Sequence, residues 1–131
     1  MRKIFIDGGA NRGQSTDSFL REWPNSHEYE VYMFEPSKST PLINALKKRE
    51  STKVRFINKA LWINNKKMPF FHKPHSALDE GATLLEEKKN IQKKAKWSEY
   101  QVECTDISEW ILDNFSEEDY IILKLDVEGA E

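Results

Sequence analysis

The sequence predicts an α/β fold: a doubly wound, mainly parallel sheet with helices between its strands. Three observations predict it. Short apolar runs alternate with segments of helical periodicity. The first run ends in a glycine-rich turn that opens a helix, the arrangement at which open α/β sheets bind ligands. The most apolar run, Ile121-Ile122-Leu123, does not alternate with polar residues, as expected of a parallel strand buried on both faces. The chain has 131 residues, which suits one domain, 1–131.

The elements follow in order. Residues 3–6 read as a short buried strand, and Asp7-Gly8-Gly9-Ala10-Asn11-Arg12-Gly13 as the turn. Residues 15–23 read as a helix with Phe19, Leu20 and Trp23 on one face, ended by Pro24-Asn25-Ser26. Residues 31–34 form a second apolar run, stopped by Glu35-Pro36. Thr40 is placed as the N-cap of the next helix, with Pro41 at its first position. Leu42, Ile43, Ala45 and Leu46 supply its buried stripe, and Lys47, Lys48 and Arg49 suit the negative end of its dipole.

Residues 54–57 read as a third strand. Residues 60–63 continue it or start a hairpin, with Asn64-Asn65 as its turn and residues 68–72 as its return. Residues 73–81 read as loop, 84–97 as a polar surface helix and 100–104 as a strand. Asp106 and Glu109 form a capping-box pattern for a helix over 107–114. The run at 120–125 is the last strand, followed by Asp126-Val127-Glu128-Gly129-Ala130-Glu131.

Composition narrows the function. The chain is 32% charged and 38% hydrophobic, with a net charge of −2, so neither a nucleic acid nor a membrane surface is an expected partner. It holds no apolar run long enough to span a bilayer, and no secretory leader is recognisable. Cys104 stands alone, which excludes an intramolecular disulfide and fits a reducing, cytoplasmic setting. His72 and His75 have no Cys or carboxylate cluster at ligand spacing, so no metal site is expected. Oligomeric state is left open.

The turn carries the candidate cofactor site. Asp7 ends the first strand beside it, where a carboxylate repels a pyrophosphate and attracts a cation. That favours S-adenosylmethionine, which carries sulfonium and ammonium groups and no phosphate. Gly9 and Gly13 let the backbone approach a ligand, with Ala10 and Asn11 between them. Glu35, presented by Pro36, can accept hydrogen bonds from both ribose hydroxyls. Ala60, with Leu61, lies against an adenine ring or packs in the core; both readings stand. Ser76 and Thr83 fall in a polar stretch that closes over a ligand or is merely solvated.

The segments Phe5-Ile6-Asp7-Gly8-Gly9-Ala10-Asn11-Arg12-Gly13-Gln14, Phe34-Glu35-Pro36 and Lys124-Leu125-Asp126-Val127-Glu128-Gly129-Ala130-Glu131 resemble the FkbM family of methyltransferases in order and spacing. So does the stretch from Glu103 to Phe115. The first two motifs are shared by many class I methyltransferases; the last is the more specific. The resemblance implies a Rossmann-like fold, S-adenosylmethionine as donor, and a hydroxyl acceptor on a sugar or natural product, hence a small-molecule or glycan partner. It also implies further strands after Glu131, so the sheet is expected to be incomplete at its C-terminal side.

Methyl transfer to an alcohol needs in-line geometry and a group that takes the hydroxyl proton. Asp126 is the candidate base. With its strand beside the first, Asp126 and Asp7 flank the crevice, and Asp126 also serves as a cofactor ligand. Glu128 and Glu131 point into the site or cap a following helix. Lys124 is placed to neutralise a neighbouring acid. Two other classes remain: a nicotinamide-dependent oxidoreductase, which Asp7 disfavours, and an inactive fragment or binding module.

Overall fold

The computed structural model describes residues 1–72 and 98–126. The loop expected at 73–81, the helix expected at 84–97, His75, Ser76, Thr83, Glu128 and Glu131 lie outside these residues. The elements are β1 (Lys3–Gly8), α1 (Gln14–Glu22), a 3-10 turn (Ser26–Glu28), β2 (Tyr29–Phe34), α2 (Thr40–Lys47), β3 (Val54–Ile57), β4 (Ala60–Trp62), β5 (Lys67–His72), β6 (Ser98–Asp106), α3 (Ile107–Asn114) and β7 (Tyr120–Leu125).

Four strands form the main sheet in the order β3-β2-β1-β7, and every pair in it is parallel. The chain winds from β1 outward to β3, then returns to the other side of β1. The strand order therefore reverses between β1 and β7, the point beyond whose carboxyl strand ends open α/β sheets bind their ligands. The register sets Asp7 opposite Lys124 and Gly8 opposite Leu125.

Alternation along β1 and β2 fills both faces. Phe5, Val31 and Met33 pack under Phe19 of α1 and under Leu42 and Leu46 of α2. Ile4, Ile6 and Phe34 pack on the other face with Leu61, against Trp110 and Ile111 of α3. Fully burying each such side chain contributes roughly 1.5–3 kcal/mol, so the doubly wound form is what hides both faces of the parallel sheet. The fold class is the Rossmann-like α/β class expected.

Several local expectations are corrected. Phe19 is buried and stacks on Phe5, with ring centroids 4.0 Å apart. Trp23 does lie beside it, with ring centroids 5.6 Å apart, but stays partly exposed, and Leu20 is exposed. That helix meets the sheet through one narrow stripe, Thr16 and Phe19. Thr40 is the first helical residue rather than the cap, which is Ser39, and Pro41 follows within the first turn. Proline fits either place because first-turn N–H groups have no helical partner to lose. Ile43 and Ala45 are half-buried, leaving Leu42 and Leu46 as the buried stripe.

The expected hairpin does not form. β4 and β5 do not pair with each other; β6 lies between them, parallel to β4 and antiparallel to β5. This distant strand supplies Val102 and Cys104 to a core with Ala60 and Phe70, apolar contact that a two-strand ribbon lacks. β7 is an edge strand among the described residues, and Tyr120, Leu123 and Leu125 are exposed. Ile121 and Ile122 are half-buried, so among the described residues the run is not buried on both faces.

The capping box is half as expected. Asp106 accepts from the Glu109 backbone N–H at 3.1 Å. Asn65 takes the other half: it accepts from the Asp106 N–H at 2.8 Å and donates to Glu109 at 2.9 Å.

Candidate functional site

The turn after β1 is shaped by three residues with positive φ: Gly9 at 77°, Asn11 at 51° and Gly13 at 89°. Glycine tolerates these values at no steric cost, and asparagine is among the few side chains that do so readily. The backbone N–H groups of Gly9 and Ala10 both donate to the Phe34 carbonyl, at 2.9 and 3.0 Å. The turn is thereby tied to the end of β2, where Glu35 begins.

Glu35 is buried, 7% exposed. Its carboxylate accepts from the backbone N–H of Asn11 at 2.8 Å and from that of Ser37 at 3.0 Å. The acid expected to face the ligand therefore also holds the turn. Asn58 fixes the same segment from β3's end, donating to the carbonyls of Glu35 and Ser37 at 2.8 and 2.9 Å. Pro36 is buried beside it, on an open groove that Lys38, Asn58 and β6 complete.

Asp7 is fully buried. The Thr16 hydroxyl donates to one of its oxygens at 2.7 Å, and the Lys124 ammonium donates to the other at 3.0 Å. Lys124 also donates to the Gly9 carbonyl at 3.2 Å. A buried carboxylate needs such partners, because burial without them costs several kcal/mol. The cation also matches the Asp7 charge, so the repulsion argument against a pyrophosphate no longer rests on Asp7.

Asp126 lies just past β7, with its backbone N–H donated to the Gly8 carbonyl at 2.9 Å. Its side chain is 67% exposed, and one oxygen is 4.0 Å from the Lys124 ammonium. Asp7 and Asp126 thus stand near the ends of the paired strands β1 and β7, Asp7 buried beneath the turn and Asp126 in solvent. Of the two readings of Ala60, the structure shows the core packing: it is 4% exposed and packs with Phe70, Val102 and Cys104.

A second clamp was not legible in the sequence. Arg49, past the end of α2, pairs with both Asp17 oxygens at 2.8 and 2.7 Å. The pairing holds the Asp17 carboxyl below its ordinary pKa and raises that of Arg49. The guanidinium lies over Gly13: a Cβ there would sit 2.6 Å from Arg49 Nε. Thr16, Asn58 and Arg49 were all missed, because each acts on a residue distant in sequence and none belongs to a recognisable spacing. Among the described residues, no group of three His, Cys, Asp or Glu side chains could hold a metal ion.

A strand-order reversal, a glycine-bearing turn tied to an acid at the end of β2, and a second acid after β7 are therefore on one chain. The family model described as the methyltransferase FkbM domain matches residues 7–131. The chain belongs to the FkbM methyltransferase family. Membership makes it a methyltransferase domain and implies a methyl donor and a small-molecule acceptor. The matched span takes in every site residue of the FkbM chain discussed above. No curated protein and no solved structure matches the chain. No described helix is long and apolar enough to cross a membrane.

Proposed function

We propose that this FkbM domain transfers a methyl group from S-adenosylmethionine to a hydroxyl of a sugar or natural product. The observation that carries the reading is the pair of carboxylates around the turn, Glu35 on the β2 side and Asp126 on the β7 side. Ionised carboxylates are acceptors only. They suit a ligand with ribose hydroxyls at one end and cationic groups at the other. The residues thus fit this donor, which supplies an electrophilic methyl group on a sulfonium when bound.

Each residue then has a task. Gly9 and Asn11 are the half-buried residues of the turn that a ligand can reach, while Ala10, 2% exposed in the core, and Gly13, buried under Arg49, shape its backbone from within. Glu35, standing at the end of β2 beside the turn, takes the ribose hydroxyls, and Pro36 fixes its backbone. Asp7 acts from beneath, holding Lys124 and Thr16. Asp126 is the one acid of the group that is largely in solvent, placed to hold the cationic end or to take the acceptor's proton. General bases of this kind contribute ~10²–10⁴-fold.

The test is calorimetric titration with S-adenosylmethionine, S-adenosylhomocysteine and NAD. Binding of the first two and not the third is expected. Binding of NAD with no response to S-adenosylmethionine would overturn the reading in favour of an oxidoreductase.

A further inference from the structure

Lys124 has a donor that its partners do not consume. An ammonium carries three N–H groups. One meets Asp7 and one meets the Gly9 carbonyl. The side chain remains 27% exposed, and it lines an open groove with Gln14, Ser18 and Trp23. Along a strand, residues two apart lie on one face. The Asp126 N–H still pairs with β1, which carries that alternation past the end of β7. Lys124 and Asp126 therefore present a cation and an anion side by side, 4.0 Å apart.

We infer that this pair recognises the zwitterionic amino-acid end of the methyl donor: Lys124 binds its carboxylate and Asp126 its ammonium. The inference rests on the proposed function and adds the group each residue holds. Opposite charges a few ångströms apart on the protein match opposite charges one carbon apart on the ligand. Asp7 cannot serve in place of Asp126, since it is fully buried and both its oxygens have donors. Arg12 is the other cation of the turn. It is exposed, and its backbone N–H donates to Gln14.

The chain is titrated with S-adenosylhomocysteine, with its decarboxylated analogue and with 5′-methylthioadenosine, which lacks the amino-acid end. The unmodified chain is expected to bind the first ~10-fold or more tighter than the second, the scale of one charge-assisted hydrogen bond. Lys124→Met alone would strand a buried carboxylate, so it is paired with Asp7→Asn, whose amide oxygen can still accept from Thr16. In that variant the preference for the carboxylate, read as the ratio of the first two affinities so that any general loss at the turn cancels, should vanish. Arg12→Gln should keep the preference. A preference retained by the paired variant, or lost instead in Arg12→Gln, overturns the assignment. So does an unmodified chain that binds the first two ligands equally. Binding of none of the three defeats the proposed function itself. A second readout needs no variant: the Lys124 ammonium resonance should shift with S-adenosylhomocysteine and not with the decarboxylated analogue. Equal shifts from both would also overturn it.

Discussion

Glu35→Gln separates two tasks that one carboxylate performs. In the structure its oxygens accept backbone N–H groups from Asn11 at 2.8 Å and Ser37 at 3.0 Å. An amide keeps the shape but replaces one oxygen with an NH₂ group. Whichever way it turns, one backbone donor then faces another donor. The residue is 7% exposed, so water cannot readily fill the gap. Losing one hydrogen bond to a charged acceptor costs roughly 1.5–3 kcal/mol. For a domain of this size that lowers Tm by roughly 5–15 °C. The ribose loses the same charged acceptor, so affinity for S-adenosylhomocysteine should fall about 10-fold or more. Thermal unfolding without ligand reads the first effect. Calorimetric titration well below Tm reads the second. An unchanged Tm would show that these two bonds do not hold the turn. A lowered Tm with unchanged affinity would remove Glu35 from the ribose site.

Two further substitutions probe the rest of the site. Asp126→Asn should reduce turnover of an alcohol acceptor ~10²–10⁴-fold with little change in cofactor affinity if Asp126 takes the proton. A fall in affinity that saturating cofactor corrects would leave it as the holder of the cationic end, and no change in either measurement would exclude both roles. Gly13→Ala should lower stability by about 1–3 kcal/mol in denaturant unfolding. The φ of 89° is unfavourable for alanine, and the new Cβ displaces an Arg49 side chain that Asp17 holds by two hydrogen bonds; a fully stable variant would show that the clamp yields freely.

Much of the architecture was legible because it is written in local pattern. The apolar runs marked β1, β2, β3 and β7, and the glycines marked a turn where a backbone with positive φ was needed. Glu35 and Asp126 stood out as candidates because each stands directly after a strand end. The hairpin was misread because the segments at 60–63 and 68–72 look like partners in sequence. Nothing local says that β6, from beyond residue 97, inserts between them. The burial of helix α1 was overestimated for a related reason. Periodicity gives the side that faces inward, but the width of the buried stripe depends on what lies opposite.

The sequence by itself determined the fold class, the order of the strands along the chain and the residue types at the site. Hydrophobic period and turn chemistry act over a few residues, and those quantities follow from them. Only the tertiary structure decided how the charges are shared. Asp7 and Lys124 lie 117 residues apart in sequence, yet the β1–β7 register sets them opposite one another. That pairing turned Asp7 from a ligand-facing acid into a buried support, and it left Asp126 as the exposed carboxylate after β7. Burial and register fix the state of each ionisable group, and both come from contacts that the chain makes only once it has folded.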